Sequence, residues 1–77
     1  MNQTRLARDT AIQQIKDAIY DLQIGPSEII PTGQIPLTFV VRFDNNAGQA
    51  EQVLIPATAT YREIYTVLQA THRRGRR

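Results

Sequence analysis

The sequence predicts a single two-layer α+β domain in which two amphipathic helices cover one face of a small β-sheet. Three observations predict it. Residues 4–23 and 61–72 have apolar residues at helical spacing, residues 37–55 alternate apolar and polar residues around a turn, and the chain has only 77 residues. A chain of this length holds one domain, so we expect residues 1–71 to form it and residues 72–77 to follow as a flexible basic tail.

The first helix is predicted over residues 4–23. Its apolar residues fall on one arc when successive residues are placed about 100° apart. They are Ala7, Ala11, Ile12, Ile15, Ala18, Ile19 and Leu22. We expect a left-handed cap at Gly25 to end the helix, because the proline that follows cannot continue the hydrogen-bond ladder. Arg8 lies on the apolar arc and Leu6 off it, so we expect the first turn to project beyond the core or to fray.

The segment from residue 26 to residue 36 contains three prolines and three isoleucines. Isoleucines are unusual in a purely solvated connection, so we expect part of this segment to pack against the core. Ser27 to Ile30 fits a short edge strand, since prolines confine strands to edges and ends. A loop whose isoleucines cover the core is the alternative.

A β-hairpin is predicted next. The first strand has large apolar residues at alternate positions, as a strand with one buried face requires: Leu37, Phe39, Val41 and Phe43. Residues 45–48, Asn-Asn-Ala-Gly, tolerate the positive φ angles of a turn. Residues 49–55 then resume an extended pattern, with Val53 and Ile55 on the inner face, and Pro56 ends it.

The second helix begins with a capping box, Thr60-Tyr61-Arg62-Glu63. In this motif the threonine hydroxyl accepts a bond from the third helical residue, and the glutamate accepts one from the cap residue. Apolar and small residues follow at helical spacing, at Ile64, Val67, Leu68 and Thr71. We expect the helix to run to about His72.

The sequence offers few groups for catalysis. It has no cysteine and one histidine, His72, which stands beside Arg73 and Arg74. Thiolate chemistry, disulfides and the usual zinc sites are therefore excluded. Asp17 and Asp21 lie four residues apart on the first helix, and like-charged neighbours at that spacing are usually a solvated face. We therefore expect no enzyme activity, no cofactor, no metal ion and no small-molecule substrate.

The net charge of +2 is unevenly distributed. Four of the nine basic residues lie in residues 72–77, which leaves five against seven acidic residues, a net charge of −2, in the rest of the chain. The tail suits a solubilising end, a nucleic-acid arm or a segment that docks on an acidic protein. In the nucleic-acid alternative, Arg73, Arg74, Arg76 and Arg77 bind phosphates, and Arg62, Lys16 or Arg42 extends this phosphate-binding track.

The leading hypothesis is a non-enzymatic protein-interaction module, such as an adaptor, an inhibitor or an assembly accessory, that can also self-associate. The thin sheet leaves strand backbone unpaired, and the chain has an aromatic and apolar surplus. We predict that a protein partner, or a second copy of the chain, binds through Tyr61, Tyr65, Ile29 and Ile30.

No membrane partner is predicted. The longest apolar runs fall well short of the roughly 20 residues that a membrane helix needs. Residues 1–5, Met-Asn-Gln-Thr-Arg, lack the apolar region of a secretory signal. We therefore expect a cytoplasmic protein, and the missing cysteines fit a reducing compartment.

Overall fold

The fold was obtained as a computed structural model, which describes residues 3–74, with side chains from residue 7 onward. Three strands form one antiparallel sheet in the order β1-β2-β3. This arrangement confirms the predicted α+β class, and it makes residues 27–30 part of a strand rather than a loop. The elements in chain order are α1 (Gln3–Asp21), β1 (Ser27–Pro31), β2 (Thr38–Asp44), β3 (Ala50–Pro56) and α2 (Tyr61–His72).

The core lies between the two helices and one face of the sheet. Alternate residues of β2 and β3 point to this face, and Phe39 and Val41 at its centre have no exposed surface. The helices contribute residues at the predicted helical spacing, which confirms the periodicity of α1 from Ala11 onward and of α2 at Ile64, Leu68 and Thr71. Val67, predicted on the same stripe of α2, is 38% exposed, so that prediction was wrong. The buried apolar residues are Ala11, Ile15, Ala18, Ile24, Phe39, Val41, Phe43, Val53, Ile55, Ile64 and Leu68.

The beginning of α1 extends beyond this core. Ala7, which the sequence places on the buried arc, is exposed, and within residues 7–21 the buried side chains begin with Ala11. The prediction for Ala7 was therefore wrong. A helix of 19 residues is about 28 Å long, whereas a strand of seven residues spans only about 23 Å, so a helix that crosses the sheet overhangs it.

The end of α1 also differs from the prediction. Gln23, rather than Gly25, takes the left-handed conformation, with a φ of 58°. Its N–H donates to the Tyr20 carbonyl at 3.0 Å. The N–H of Ile24 donates to the Ile19 carbonyl at the same distance, which completes a Schellman motif. The turn places Ile24 in the core, 7% exposed, and that burial offsets the roughly 1–2 kcal/mol that a left-handed residue other than glycine costs.

The hairpin loop is organised by a buried polar residue, Asn45. Its Oδ1 accepts bonds from the backbone N–H groups of Ala47 at 2.8 Å and Gln49 at 3.0 Å. Its Nδ2 donates to Glu51 Oε2 at 2.7 Å. The predicted turn is therefore confirmed, and one asparagine holds both its backbone and the start of β3.

Helix α2 begins and ends with specific hydrogen bonds. The Glu63 N–H donates to Thr60 Oγ1 at 3.1 Å and the Thr60 N–H donates to Glu63 Oε1 at 2.8 Å, which confirms the capping box. At the other end, the Asn46 N–H of the hairpin loop donates to the His72 carbonyl at 2.9 Å. His72 is the last helical residue and Arg73 is its C-cap. Residues 75–77 of the predicted tail lie outside the described residues.

Candidate protein-binding surface

The sheet face turned away from the helices, here called the open face, carries a row of apolar side chains. Ile30 of β1 lies opposite Val40 of β2, and Val40 lies opposite Leu54 of β3. Their side chains share one face because residues such as Val41 and Ile55, one position further along each strand, point into the core. Leu54 is 60% exposed and Ile30 is 36% exposed. In this apolar row of Ile30, Val40 and Leu54, the half-buried Val40 therefore lies between two exposed residues.

Polar and small residues border the apolar row on both sides. Towards the hairpin loop, Glu28, Arg42 and Gln52 lie side by side on the three strands. Arg42 Nε donates to Gln52 Oε1 at 3.2 Å, so this polar row is ordered. Thr38 and Pro56 lie on the other side of the apolar row. An apolar centre with a polar border is the usual composition of a protein-binding patch.

The outer edge of β3 exposes backbone hydrogen-bonding groups. In an antiparallel ladder, every second residue directs its N–H and C=O towards the neighbouring strand. The Ala57 N–H donates to the Leu37 carbonyl at 2.9 Å. This bond shows that the odd-numbered residues of β3 direct their backbone groups towards β2 and the even-numbered ones away from it. The N–H groups of Gln52 and Leu54 consequently point away from β2, towards the free edge.

The outer edge of β1 offers fewer backbone N–H donors than the outer edge of β3. The Thr32 N–H donates to the Thr38 carbonyl at 3.0 Å, so Ser27, Ile29 and Pro31 are the residues whose backbone faces outward. Proline has no N–H, so one of these three positions offers no donor.

A groove of about 240 Å³ runs between β3 and α2, beside the same β3 edge. Its lining is mainly apolar and includes Leu54, Pro56, Ala59 and Val67, with Glu63 at its border. The groove shares Leu54 with the apolar row, so the apolar surface continues from the open face around the edge of β3.

The four residues predicted to bind a partner lie in three different places. Ile30 lies on the open face, whereas Ile29 is half-buried on the opposite side of the sheet, beside α1. Tyr61 and Tyr65 are half-buried on α2 and pack against the core, with ring centroids 6.0 Å apart. The Tyr61 hydroxyl donates to the Asp21 carboxylate and so joins the start of α2 to the end of α1.

The contact with Asp21 has a consequence for the titration of Tyr61. The carboxylate accepts a hydrogen bond from the protonated hydroxyl and disfavours a phenolate beside it, which raises the pKa of Tyr61 from 10.0 to about 12. Because the folded pKa lies above the unfolded value, this contact contributes its full stability below about pH 10. The contribution is lost as the pH rises towards 12.

We expect one of the three tyrosines to ionise about two pH units later than an ordinary tyrosine. The absorbance of tyrosinate, followed from pH 9 to pH 13, measures this step. Tyr61→Phe is expected to abolish it, whereas the control Tyr65→Phe is expected to keep it. A late step that survives in Tyr61→Phe would contradict the assignment.

The basic residues considered for nucleic-acid binding lie on both sides of the sheet. Arg62 and Arg73 are exposed and eleven residues apart, which places them on one face of α2 about 16 Å from each other. Arg74 Nε lies 3.9 Å from Glu51 Oε1, a weak contact of an exposed cation. Arg42 lies on the open face, on the side of the sheet opposite to α2.

The nucleic-acid hypothesis names three further residues. Lys16 is exposed on α1, beside Ile29. Arg76 and Arg77 lie outside the described residues. Nucleic-acid binding through these arginines stays a prediction.

The acidic and imidazole side chains that the sequence offers for catalysis lie close to other side chains of the fold. Asp17 accepts a bond from Gln13 Nε2 at 2.9 Å, and the His72 ring lies 6.3 Å from the ring of Phe43. Within residues 3–74, no group of three or more histidine, aspartate or glutamate side chains could hold a metal ion. No helix in the same range is both long enough and apolar enough to cross a membrane.

Two members of the apolar row, the middle residue Val40 and the end residue Leu54, were not among the residues predicted to bind a partner. The signal that could have found them is an apolar residue at an outward position of an alternating strand. Val40 stands between the buried Phe39 and Val41, and Leu54 stands between Val53 and Ile55. Their contact depends on the register of β2 and β3, which the sequence alone does not supply.

No protein-family model matches this chain, and comparisons with curated proteins and with solved structures found no significant match. Its function therefore has to be inferred from its own residues and contacts.

Proposed function

We propose that this protein is a non-enzymatic protein-interaction module, an adaptor or assembly accessory, that binds a partner protein through the open face of its sheet. The observation that supports this function is the apolar row of Ile30, Val40 and Leu54. The partner it fits is a protein that presents apolar side chains to the row and hydrogen-bonding groups to Arg42 and Gln52.

The exposure of the row supports a binding role. Full burial of one leucine, isoleucine or valine side chain is worth about 1.5–3 kcal/mol relative to leaving it in water. Single exposed apolar residues are common, but adjacent ones on a flat sheet face with a polar border are typical of contact surfaces. The three residues of the row are direct cross-strand neighbours, so one partner side chain can contact two of them at once.

The test is the dependence of partner binding on Val40, the middle residue of the row. The tagged 77-residue chain and its Val40→Arg variant are used to recover partners from the cells that make the protein, and the affinity of each recovered protein is then measured by calorimetry. We expect a partner of the unaltered chain to bind Val40→Arg at least about tenfold more weakly, because a charge then occupies the apolar centre.

The matched control is Ile35→Arg. Ile35 is 98% exposed in the loop between β1 and β2 and lies outside the row, so the same chemical change there is expected to leave binding intact. Thermal melting establishes that both variants are folded. Equal binding by Val40→Arg and the unaltered chain would overturn the proposed function.

A further inference from the structure

We infer that the free edge of β3 pairs with the same edge of a second copy of this chain, which joins the two open faces into one surface. The role of that joined surface in partner binding rests on the proposed function, whereas the pairing itself rests on the edge.

The β3 edge has almost none of the features that normally prevent strand pairing. Exposed edges in soluble proteins are usually blocked by charged residues, prolines, bulges or short strands. The open-face residues of β3 are all uncharged: Ala50, Gln52, Leu54 and Pro56. β3 has seven residues, and its proline stands at its last position. β1 also ends at a proline, Pro31, but it has only five residues and carries Glu28 on the open face.

An antiparallel edge is complementary to itself, because a two-fold axis brings each strand against an identical one running the other way. When Leu54 lies opposite Leu54 of the second copy, the two leucines exchange N–H and C=O bonds. The Gln52 N–H of each copy then reaches the Pro56 carbonyl of the other. About four backbone hydrogen bonds form in this register, and none of them requires the N–H that Pro56 lacks.

This register also extends the apolar row. The two copies of Ile30, Val40 and Leu54 become one row that crosses six strands and spans about 24 Å. The exposed part of each Leu54 side chain is covered by its counterpart, and the groove beside Val67 then lies next to the second copy along the same edge. A different partner protein would need both a strand that pairs with the β3 edge and apolar side chains that continue the row. A second copy of this chain provides both by symmetry.

A single introduced cysteine tests the register directly, because the chain has no cysteine of its own. Opposed residues of a hydrogen-bonded antiparallel pair have Cα atoms about 5.5 Å apart, a distance that a disulfide bridges. In this register the two Gln52 residues are offset by four positions, about 14 Å, which a disulfide cannot bridge.

We therefore expect full-length Leu54→Cys to form a disulfide-linked dimer in a glutathione redox buffer at least about tenfold faster than full-length Gln52→Cys. The two variants are matched, since both place a thiol at an exposed position on the same strand and the same face. Equal rates, or faster cross-linking of Gln52→Cys, would overturn the inferred pairing.

A second measurement does not depend on cysteine chemistry. Sedimentation of the full chain from about 10 µM to 1 mM is expected to show a reversible dimer, since an edge contact of this size belongs to the weak class of interfaces. Gln52→Pro removes one outward N–H without removing a backbone hydrogen bond to β2, although it also removes the side-chain bond that Gln52 accepts from Arg42. It is expected to weaken dimerisation at least about tenfold. Ser27→Pro, the same change at an outward-facing position of β1, is the control and is expected to dimerise normally.

The two proposals fail separately. If the unaltered chain stays monomeric throughout while Val40→Arg still loses its partner, the pairing is overturned and the proposed function stands. If the chain dimerises through β3 but Val40→Arg binds every partner normally, the pairing stands and the proposed function is overturned.

Discussion

Replacing Phe39 with alanine is expected to lower the free energy of unfolding by about 3–5 kcal/mol. Phe39 has no exposed surface and lies in the central strand, between Pro31 on one side and Ile55 on the other. Removal of its ring leaves a cavity that the paired strands cannot collapse to fill. A chain of 77 residues has a total stability of about 4–12 kcal/mol, so this loss is a large part of the total.

Urea denaturation followed by far-UV circular dichroism measures this difference. Val40→Ala is the matched control, because Val40 is adjacent in the same strand but points to the open face. We expect it to cost about 1 kcal/mol or less. If Phe39→Ala does not fold at all, Phe39→Leu provides a measurable variant, with an expected loss of about 1–1.5 kcal/mol. Similar losses at positions 39 and 40 would contradict the assignment of the two faces of the sheet.

Asn45→Asp is expected to destabilise the protein by about 2–4 kcal/mol at neutral pH. The aspartate keeps the oxygen that accepts bonds from Ala47 and Gln49. It replaces the amide nitrogen, which lies 2.7 Å from Glu51 Oε2, with a second carboxylate oxygen. The site is only 5% exposed, so the repulsion between the two carboxylates is weakly screened.

The destabilisation of Asn45→Asp should depend on pH. Two adjacent carboxylates share a proton more readily than separate ones, so the pKa of the pair is raised in the folded variant. The folded variant then binds more protons than its unfolded form, and its stability deficit shrinks as the pH falls from neutral to about 4. Asn46→Asp is the control, because Asn46 is exposed and bonds to α2 through its backbone. Urea denaturation at both pH values measures the effect, and equal losses at positions 45 and 46 would contradict it.

The parts of the fold that depend on neighbouring residues could be predicted from the sequence. The capping box at Thr60 needs only Glu63, three residues away, and the hairpin needs only alternation around residues 45–48. The left-handed cap at Gln23 could not be predicted in this way. Gly25 is the better residue for that backbone conformation, but the burial of Ile24 decides where the helix ends.

The candidate site was harder to predict, because it depends on register and on face. Ile29 and Ile30 look equivalent in the sequence, yet successive residues of a strand point to opposite sides. Only Ile30 reaches the open face. Val40 and Leu54 are fourteen residues apart, and their contact follows from the pairing of β2 with β3. The alternation of apolar and polar residues predicts which face of the sheet each side chain is on. It does not predict which residue lies opposite on the next strand.

The proline at the end of β1 bears on how far strand pairing can proceed. A sheet with two receptive edges can add copies without limit and grow into a fibre, whereas a sheet with one receptive edge stops at two copies. Pro31 removes one of the three outward donors of a strand that is already short, and Glu28 adds a charge beside it. These features make β1 a poor template for another chain. Pairing through β3 therefore occupies the one edge that is suited to strand pairing. The result is a closed dimer that resists fibril formation.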